Sequence, residues 1–479
     1  MKRIFISLLF LSQMSNAQVD LVKDIQSGST GSTISGITEF NGKLYFRAND
    51  GSTGFELWKS DGTSAGTLLV SDFVSGGNFV GSPPFFTILG SKLYFFGNAN
   101  NTGIEVYHYD GTNISLAADL KTGNNVSSAP GYMIEMGGNL YVRAQEQSTT
   151  TNRLFKINSS NSFNVVDNSI VLGTSNSAAV LDGKLYLAAG TVSSNQQLYS
   201  TDGTTMTLVK TINTAGNAQP TNFYAASAMG KVFFRANDGT AGLELWMTDG
   251  TETGTVLVKD IVTGSGTSSP ANFYEYNGKV YFSANDGTNG VELWVTDGTS
   301  AGTQMLKDIN TSVAGASSNP SNFYTYNGKL YFSANDGVNG SELWRTDGTA
   351  ENTTMLFDIN SGAGNSSPSD FISFNGDLYF GADNGSTGKE LYKISASTLG
   401  LEKVKATSLK VYPNPSNGNI NFSSPITGKY SLYTYAGNLV SSGFIAKQKE
   451  LQLKVSSGNY LLVVDQNGDK KTFNIVVKN

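Results

Sequence analysis

Carboxylate and carboxamide side chains recur at fixed spacing along the chain and are its clearest candidates for chemistry. Four segments contain Asn-Asp-Gly, and a glutamate follows each aspartate six residues later. Ca²⁺ takes oxygen ligands, so the aspartates are the calcium candidates: Asp50, Asp238, Asp286 and Asp336. The same turns form without an ion, because Asn and Asp bond to nearby backbone and glycine accepts positive φ. The spacing differs from that of an EF-hand loop, and no other cofactor is expected.

Nucleophilic and acid–base catalysis find few candidates. The 479 residues include no cysteine and one histidine, His108, and nothing selects a serine as its partner. Two carboxylates can cleave a glycan without histidine, but most acidic residues of the chain belong to turn motifs. No phosphate-binding glycine loop or zinc spacing occurs. The sequence therefore assigns no catalytic residue.

The elements that carry these residues are repeated β-strand units. A strand of the Leu/Val-Tyr-Phe type recurs at steps of 45 to 50 residues, starting at Leu44, Leu93, Leu140, Leu185, Val232, Val280, Leu330 and Leu378. The turn signals around it predict four short antiparallel strands per unit. Eight units of about 48 residues predict an all-β fold, an eight-bladed β-propeller over residues 18–397 with seven blades as the fallback.

The phase of the repeats predicts how the ring closes. The segment Val19–Ile25 resembles the fourth strand of a unit without the first three, and the last unit ends at Glu390–Ile394 without a fourth strand. We therefore expect Val19–Ile25 to pair with the last unit.

All four tryptophans occupy one position of the unit. They are Trp58, Trp246, Trp294 and Trp344. An aromatic sugar platform would use such residues, but large aromatics at one register are also what packing between blades requires. The packing interpretation is preferred.

Residues that break the repeat are better candidates for a specific site than residues that recur in every copy. Units two to four are the least regular, and Gln145-Glu146-Gln147, Arg153 and His108 are departures within them. Relaxed sequence in a tolerant loop is the alternative explanation.

The repeat resembles the ELWxxDGT family, whose motif is Glu-Leu-Trp-x-x-Asp-Gly-Thr. Residues 56–63, 244–251, 292–299 and 342–349 match it in full. Units two and four match in part, and unit three lacks both the glutamate and the Asp-Gly. The resemblance implies a propeller-like extracellular protein and supplies no known catalytic residues.

The N-terminus predicts export. Residues 1–17 have a basic start, an apolar stretch and a small-residue cleavage site at Ala17, as a signal peptide has. The apolar stretch is too short to span a bilayer, and no later segment is long enough. Residues 18–400, the body of the protein, are acidic. This argues against a nucleic-acid partner, because phosphates attract basic surfaces.

The C-terminal segment has a different character. After a linker over 398–408, residues 409–479 are rich in lysine and predict a compact β-sandwich of about seven short strands. The segment resembles the type A sorting domain of the type IX secretion system of Bacteroidota, through Pro413, Asn414, Pro415, Gly418, Gly458, Tyr460 and Lys478. The resemblance implies the type IX machinery as a partner, and release or anchoring at the outer-membrane surface.

Three functions fit these features. The preferred one is a secreted or cell-surface protein that binds a glycan or protein ligand without catalysis, for example in adhesion. The alternative is a carbohydrate-active enzyme, a glycoside hydrolase or lyase, that uses carboxylates at the propeller funnel. The third is a cation-stabilised coat component.

Overall fold

The structure is a computed structural model that describes residues 19–99, 102–147, 149–396, 411–412, 416–434, 439–466 and 469–478. The predicted signal peptide 1–17 and linker 398–408 lie outside the described residues. Within the described residues, every regular element is a β-strand. None of these residues forms a helix that is long and apolar enough to cross a membrane. They form two compact units with a boundary at residues 401 and 402. The all-β fold class is therefore confirmed.

In the body, units one, two, five, six and seven each form a four-stranded antiparallel sheet in chain order. Units one and two comprise β2 (Ser35–Phe40), β3 (Lys43–Asn49), β4 (Phe55–Ser60), β5 (Leu68–Ser71), β6 (Thr87–Leu89), β7 (Lys92–Ala99), β8 (Gly103–Tyr109) and β9 (Ile114–Ala118). Unit five comprises β19 (Thr221–Ala226), β20 (Lys231–Asn237), β21 (Leu243–Thr248) and β22 (Val256–Lys259). Units six and seven comprise β23 (Ala271–Tyr276), β24 (Lys279–Asn285), β25 (Val291–Thr296), β26 (Gln304–Lys307), β27 (Ser321–Tyr326), β28 (Lys329–Asn335), β29 (Ser341–Thr346) and β30 (Thr354–Phe357).

Unit eight is completed by the N-terminal segment. It consists of β31 (Ser369–Phe374), β32 (Asp377–Asp383), β33 (Lys389–Ile394) and β1 (Val19–Lys23). Leu21 pairs with Tyr392 and Lys23 with Leu391, on the free edge of β33. The predicted pairing of the first segment with the last unit is confirmed.

Units three and four share one nine-stranded sheet, which the sequence did not predict. The strands are β10 (Met133–Met136), β11 (Asn139–Gln145), β12 (Asn152–Asn158), β13 (Phe163–Val165), β14 (Val171–Leu172), β15 (Ala179–Leu181), β16 (Lys184–Gly190), β17 (Gln197–Thr201) and β18 (Met206–Lys210). The two-residue strand β14 joins the units, because Leu172 pairs with both Asn152 and Ala189. A connecting segment has thus become a bridge between neighbouring units.

The core lies between consecutive units. Trp294 of unit six packs with Phe233 and Leu245 of unit five, and Trp58 of unit one packs with Tyr379 and Leu391 of unit eight. Each tryptophan is at most 7% exposed. The packing interpretation of the tryptophans is confirmed.

The first strands of most consecutive units lie side by side. Strand β31 contacts both β27 and β2, and β10 contacts both β6 and β15. Asn272 in β23 adopts a φ of 56° and donates from Nδ2 to the carbonyl oxygen of Pro320 in the next unit, at 3.3 Å. At the junction of units eight and one, the Gly36 N–H donates to Asp370 Oδ1 at 2.8 Å.

The tail forms one five-stranded sheet. Its strands are β34 (Val411–Tyr412), β35 (Asn419–Thr434), β36 (Leu439–Gln452), β37 (Gly458–Gln466) and β38 (Asp469–Val477). The strands are thus fewer and longer than the seven expected, since β35 alone continues for 16 residues through register shifts. The predicted β-sandwich is not confirmed.

Candidate functional site

The glutamate of the repeat is a buried structural anchor. Glu292 Oε2 accepts hydrogen bonds from the Ile309 N–H at 2.8 Å and the Ser318 hydroxyl at 2.6 Å. Its Oε1 accepts the Ser318 N–H at 2.9 Å. The carboxylate thus fixes the segment that leads to the next unit. The same position is fully buried in six units, at Glu56, Glu105, Glu244, Glu292, Glu342 and Glu390.

Burial changes the proton affinity of these glutamates. It raises the pKa of Glu56 to about 8 and that of Glu105 to about 7, although hydrogen bonds from backbone N–H groups act in the opposite direction. The pKa of Glu292 is raised for the same reason. A carboxyl held this way is inaccessible to a substrate, so its raised pKa does not make it a general acid.

The calcium candidates use their oxygens within turns. Asp50 Oδ1 accepts the N–H groups of Ser52 and Thr53, each at 2.8 Å. Asp286 accepts from Thr288 and Asn289, and Asp238 and Asp336 form the equivalent bonds. Within the described residues, no three acidic or histidine side chains are grouped as a metal site would need.

The Asp-Gly-Thr turn also serves the packing between units. Gly348 has a φ of 101°, and the hydroxyl of Tyr281 in the preceding unit occupies the space that a Cβ would need. The Lys307 ammonium donates to the Thr353 carbonyl oxygen at 2.6 Å across the same junction. The motif residues are therefore explained by the fold.

The predicted departures come together only in part. Arg153 takes the place of the glutamate in unit three, forms an ion pair with Glu146 at 3.1 Å and donates to the Ile170 carbonyl at 2.7 Å. Gln145 and Gln147 bond to the preceding segment, through Lys121 and Thr122. These contacts brace a loop.

His108 lies apart from that loop. It is buried against Tyr94 in unit two, with ring centroids 5.4 Å apart. Burial and the nearby Lys92 lower its pKa.

Unit four replaces the buried glutamate by Gln197. Its Oε1 accepts the Ile212 N–H at 2.8 Å, as the glutamates do. Its Nε2 donates to the carbonyl oxygens of Asn213 and Gly216, at 3.0 and 2.8 Å. The amide suits a connecting segment that presents carbonyl groups, so this loop is held by an altered set of hydrogen bonds.

A cavity of about 280 Å³ lies beside this altered loop and the bridge β14. Its polar lining includes Thr174, Ser175, Ser193, Gln196, Asn217 and Thr221, and none of the described residues that line it is charged. Gln196 is 4% exposed, and its Oε1 has no hydrogen-bond partner.

Hydroxyl groups cluster at one side of the cavity. Ser175 Oγ lies 2.9 Å from Thr221 Oγ1, and Ser177 Oγ lies 3.4 Å from the same atom. By strand register, Ser175 stands where unit six has Pro270. A small hydroxyl residue in place of proline opens this space. That exchange is the sequence signal through which the cavity could have been found.

Other cavities are less specific. Those of 360 and 410 Å³ lie beside the Asp-Gly-Thr turns of units four and seven, lined by Asp202 and by Asp347 respectively. A cavity of 900 Å³ lies between β35 and β36 of the tail, where their pairing shifts register. A cavity that recurs beside the same turn in different units is a weaker candidate for a specific site.

The predicted sorting residues of the tail fall into two groups. Pro413, Asn414 and Pro415 lie outside the described residues. Gly458 pairs with Val477, and the Lys478 N–H donates to the Ser416 carbonyl at 2.9 Å, so these residues meet at one edge of the sheet. Gly418 has a φ of 95° and accepts the Leu453 N–H. The Tyr460 hydroxyl donates to the Ser456 carbonyl at 3.0 Å.

No curated protein matches the chain. Similar solved structures include the β-propeller domain of the Trilobed protease from Pyrococcus furiosus, with 11% identity, a TM-score of 0.40, and coverage of 70% of this chain and 100% of that one. Saccharomyces cerevisiae Sqt1 has 11% identity, a TM-score of 0.41 and coverage of 79% and 98%. Prolyl oligopeptidase B from Galerina marginata has 12% identity, a TM-score of 0.43, and coverage of 74% of this chain and 56% of that one. At these TM-scores the likenesses carry no conclusion about activity.

One part of the chain matches a family model. Residues 410–478 match the secretion system C-terminal sorting domain. The predicted resemblance of the tail to a type IX sorting domain is therefore confirmed. Such a tail implies export through the type IX secretion system and a location at the cell surface or outside the cell.

Proposed function

We propose that this protein is an extracellular, non-catalytic binding protein for a glycan or protein ligand. The observation that carries the proposal is the uncharged polar cavity beside β14, where units three and four share a sheet. The repeated aspartates and glutamates hold turns and connecting segments, which leaves recognition to residues that depart from the repeat. The sorting tail supports an extracellular ligand.

The body is proposed to be an eight-bladed propeller of the ELWxxDGT type. Three features support eight blades: the nine-stranded sheet divides at β14 into two units, β1 completes the last unit, and first strands of most neighbouring units lie side by side. Full closure protects sheet edges, which suits an exported protein without disulfides.

The competing function, glycan cleavage, needs two accessible carboxyl groups about 5–10 Å apart. The six glutamates of the repeat have no exposed surface. A product assay on any bound glycan separates the two functions, since release of shorter fragments would contradict a binding protein.

The proposed role of the tail in secretion has a separate test. The full gene and a version lacking residues 409–479 are expressed in the native host, and fractions are probed for the body. We expect the full chain at the surface or in the medium and the shortened chain in the periplasm. Equal secretion of both would refute a sorting role for the tail.

A further inference from the structure

We infer that the cavity beside β14 is a subsite for one neutral sugar residue of an extracellular glycan. The inference rests on the proposed binding function and adds the ligand class and the position of the site. The hydrogen-bonding groups that carry it are Ser175, Gln196, Asn217 and Thr221.

The chemistry of the lining selects an uncharged ligand rich in hydroxyl groups. Hydroxyl and carboxamide groups both donate and accept, as the hydroxyls of a sugar do. The lining described here has no charge to pair with an anion or a cation, and burying an unpaired ligand charge would be costly. A neutral polyol fits this set of partners.

Gln196 supplies the most specific feature. Its Nε2 donates to the Val192 carbonyl at 3.0 Å, and its Oε1 has no partner. Buried carbonyl oxygens normally have at least one hydrogen-bond donor. Gln196 lines the cavity, and its Oε1 is itself covered, so a ligand hydroxyl would supply the missing donor once the amide turns toward the cavity.

The size of the cavity limits what enters. Its volume of about 280 Å³ is slightly below the roughly 300–1,000 Å³ of sites that hold drug-sized molecules. One sugar ring fits, and the rest of a glycan chain would extend into solvent past Thr174 and Ser193, which are exposed at the rim.

The test uses the purified full-length chain on an array of neutral and acidic oligosaccharides, followed by calorimetric titration with the strongest neutral binder. Ser193→Tyr places a large ring at the rim, and Thr221→Val removes a hydroxyl while keeping the shape and β-propensity. Thr288→Tyr is the matched control, because Thr288 occupies the corresponding loop of unit six, between β24 and β25.

We expect neutral glycans to bind, and both cavity variants to bind at least about tenfold more weakly, a loss of about 1.4 kcal/mol, with the control unchanged. Glycan binding that neither cavity variant weakens would overturn the subsite and leave the proposed function standing. Selective binding of acidic glycans would overturn the neutral class. If no glycan binds, the inference fails, and the proposed function then depends on a protein ligand.

Discussion

Removing the carboxylate of Glu390 tests how the first segment of the body is held to its last unit. Glu390 Oε1 accepts the N–H groups of Gln26 and Ser32 at 3.1 and 2.8 Å, and Oε2 accepts the Ser32 hydroxyl at 2.7 Å. These bonds join the segment that follows β1 to β33, across 358 residues of chain between Ser32 and Glu390. Glu390→Ala removes all three at once.

The magnitude follows from the donors left without partners. The Ser32 hydroxyl keeps an alternative acceptor, the Lys389 carbonyl oxygen at 3.3 Å. The buried Ser32 N–H loses its acceptor, which costs about 1–3 kcal/mol, whereas the Gln26 N–H is only part-buried and can bond to water instead. We therefore expect the free energy of unfolding to fall by about 1–3 kcal/mol.

Urea unfolding of the full chain at pH 7 measures the loss, with Glu351→Ala as the control at an exposed glutamate, expected to change stability by no more than about 0.5 kcal/mol. Glu292→Ala makes a similar loss inside a contiguous unit. We expect brief native-state proteolysis to cut the N-terminal segment in Glu390→Ala but not in Glu292→Ala. A Glu390→Ala protein as stable as the Glu351→Ala control would refute the reasoning.

Three further predictions concern the same body. Burial raises the pKa of Glu56 to about 8 and that of Glu105 to about 7, above the ordinary 4.5. The folded state therefore holds protons that the unfolded state releases, and the free energy of unfolding should fall as the pH rises from about 5 to 8. Urea unfolding at a series of pH values measures this, and a rise would contradict the prediction. Arg153→Ala removes the ion pair with Glu146 and the bond to Ile170, and should lower the free energy of unfolding by about 1–2 kcal/mol. Arg345→Ala on the regular unit seven should lower it by less. A chelator should leave the melting midpoint unchanged, because turn N–H groups already donate to the carboxylates of Asp50, Asp238, Asp286 and Asp336. A drop in the midpoint that Ca²⁺ reverses would show a calcium site.

The repeats made the body predictable from sequence. The spacing of the Leu/Val-Tyr-Phe strands and the phase at the two ends determine which strand completes unit eight, because an unfinished sheet and an unpaired strand of matching pattern satisfy each other. The single register of Trp58, Trp246, Trp294 and Trp344 likewise predicted their packing between units.

What the sequence could not supply depends on contacts between distant segments. Strand β14 has two residues, too few for any periodic signal, so the joining of units three and four was missed. Glu292 was expected near an oxygen-rich loop, but strand alternation turns it inward to distant N–H groups. The cavity follows from Gln196, Gln197 and Ser175 together, and none of these exchanges is informative alone.

The pairing of β1 with β33 also affects the order of folding. Ribosomes and export channels deliver β1 first and β33 last among the strands of the body, so unit eight cannot finish until nearly the whole body has emerged. When β33 emerges, its edge beside Leu391 and Tyr392 stays open until β1 pairs with it, and such an open edge is where β-proteins aggregate. The earliest-made strand thus covers the latest-made edge, and a chain that lacks β1 would leave that edge open to other strands.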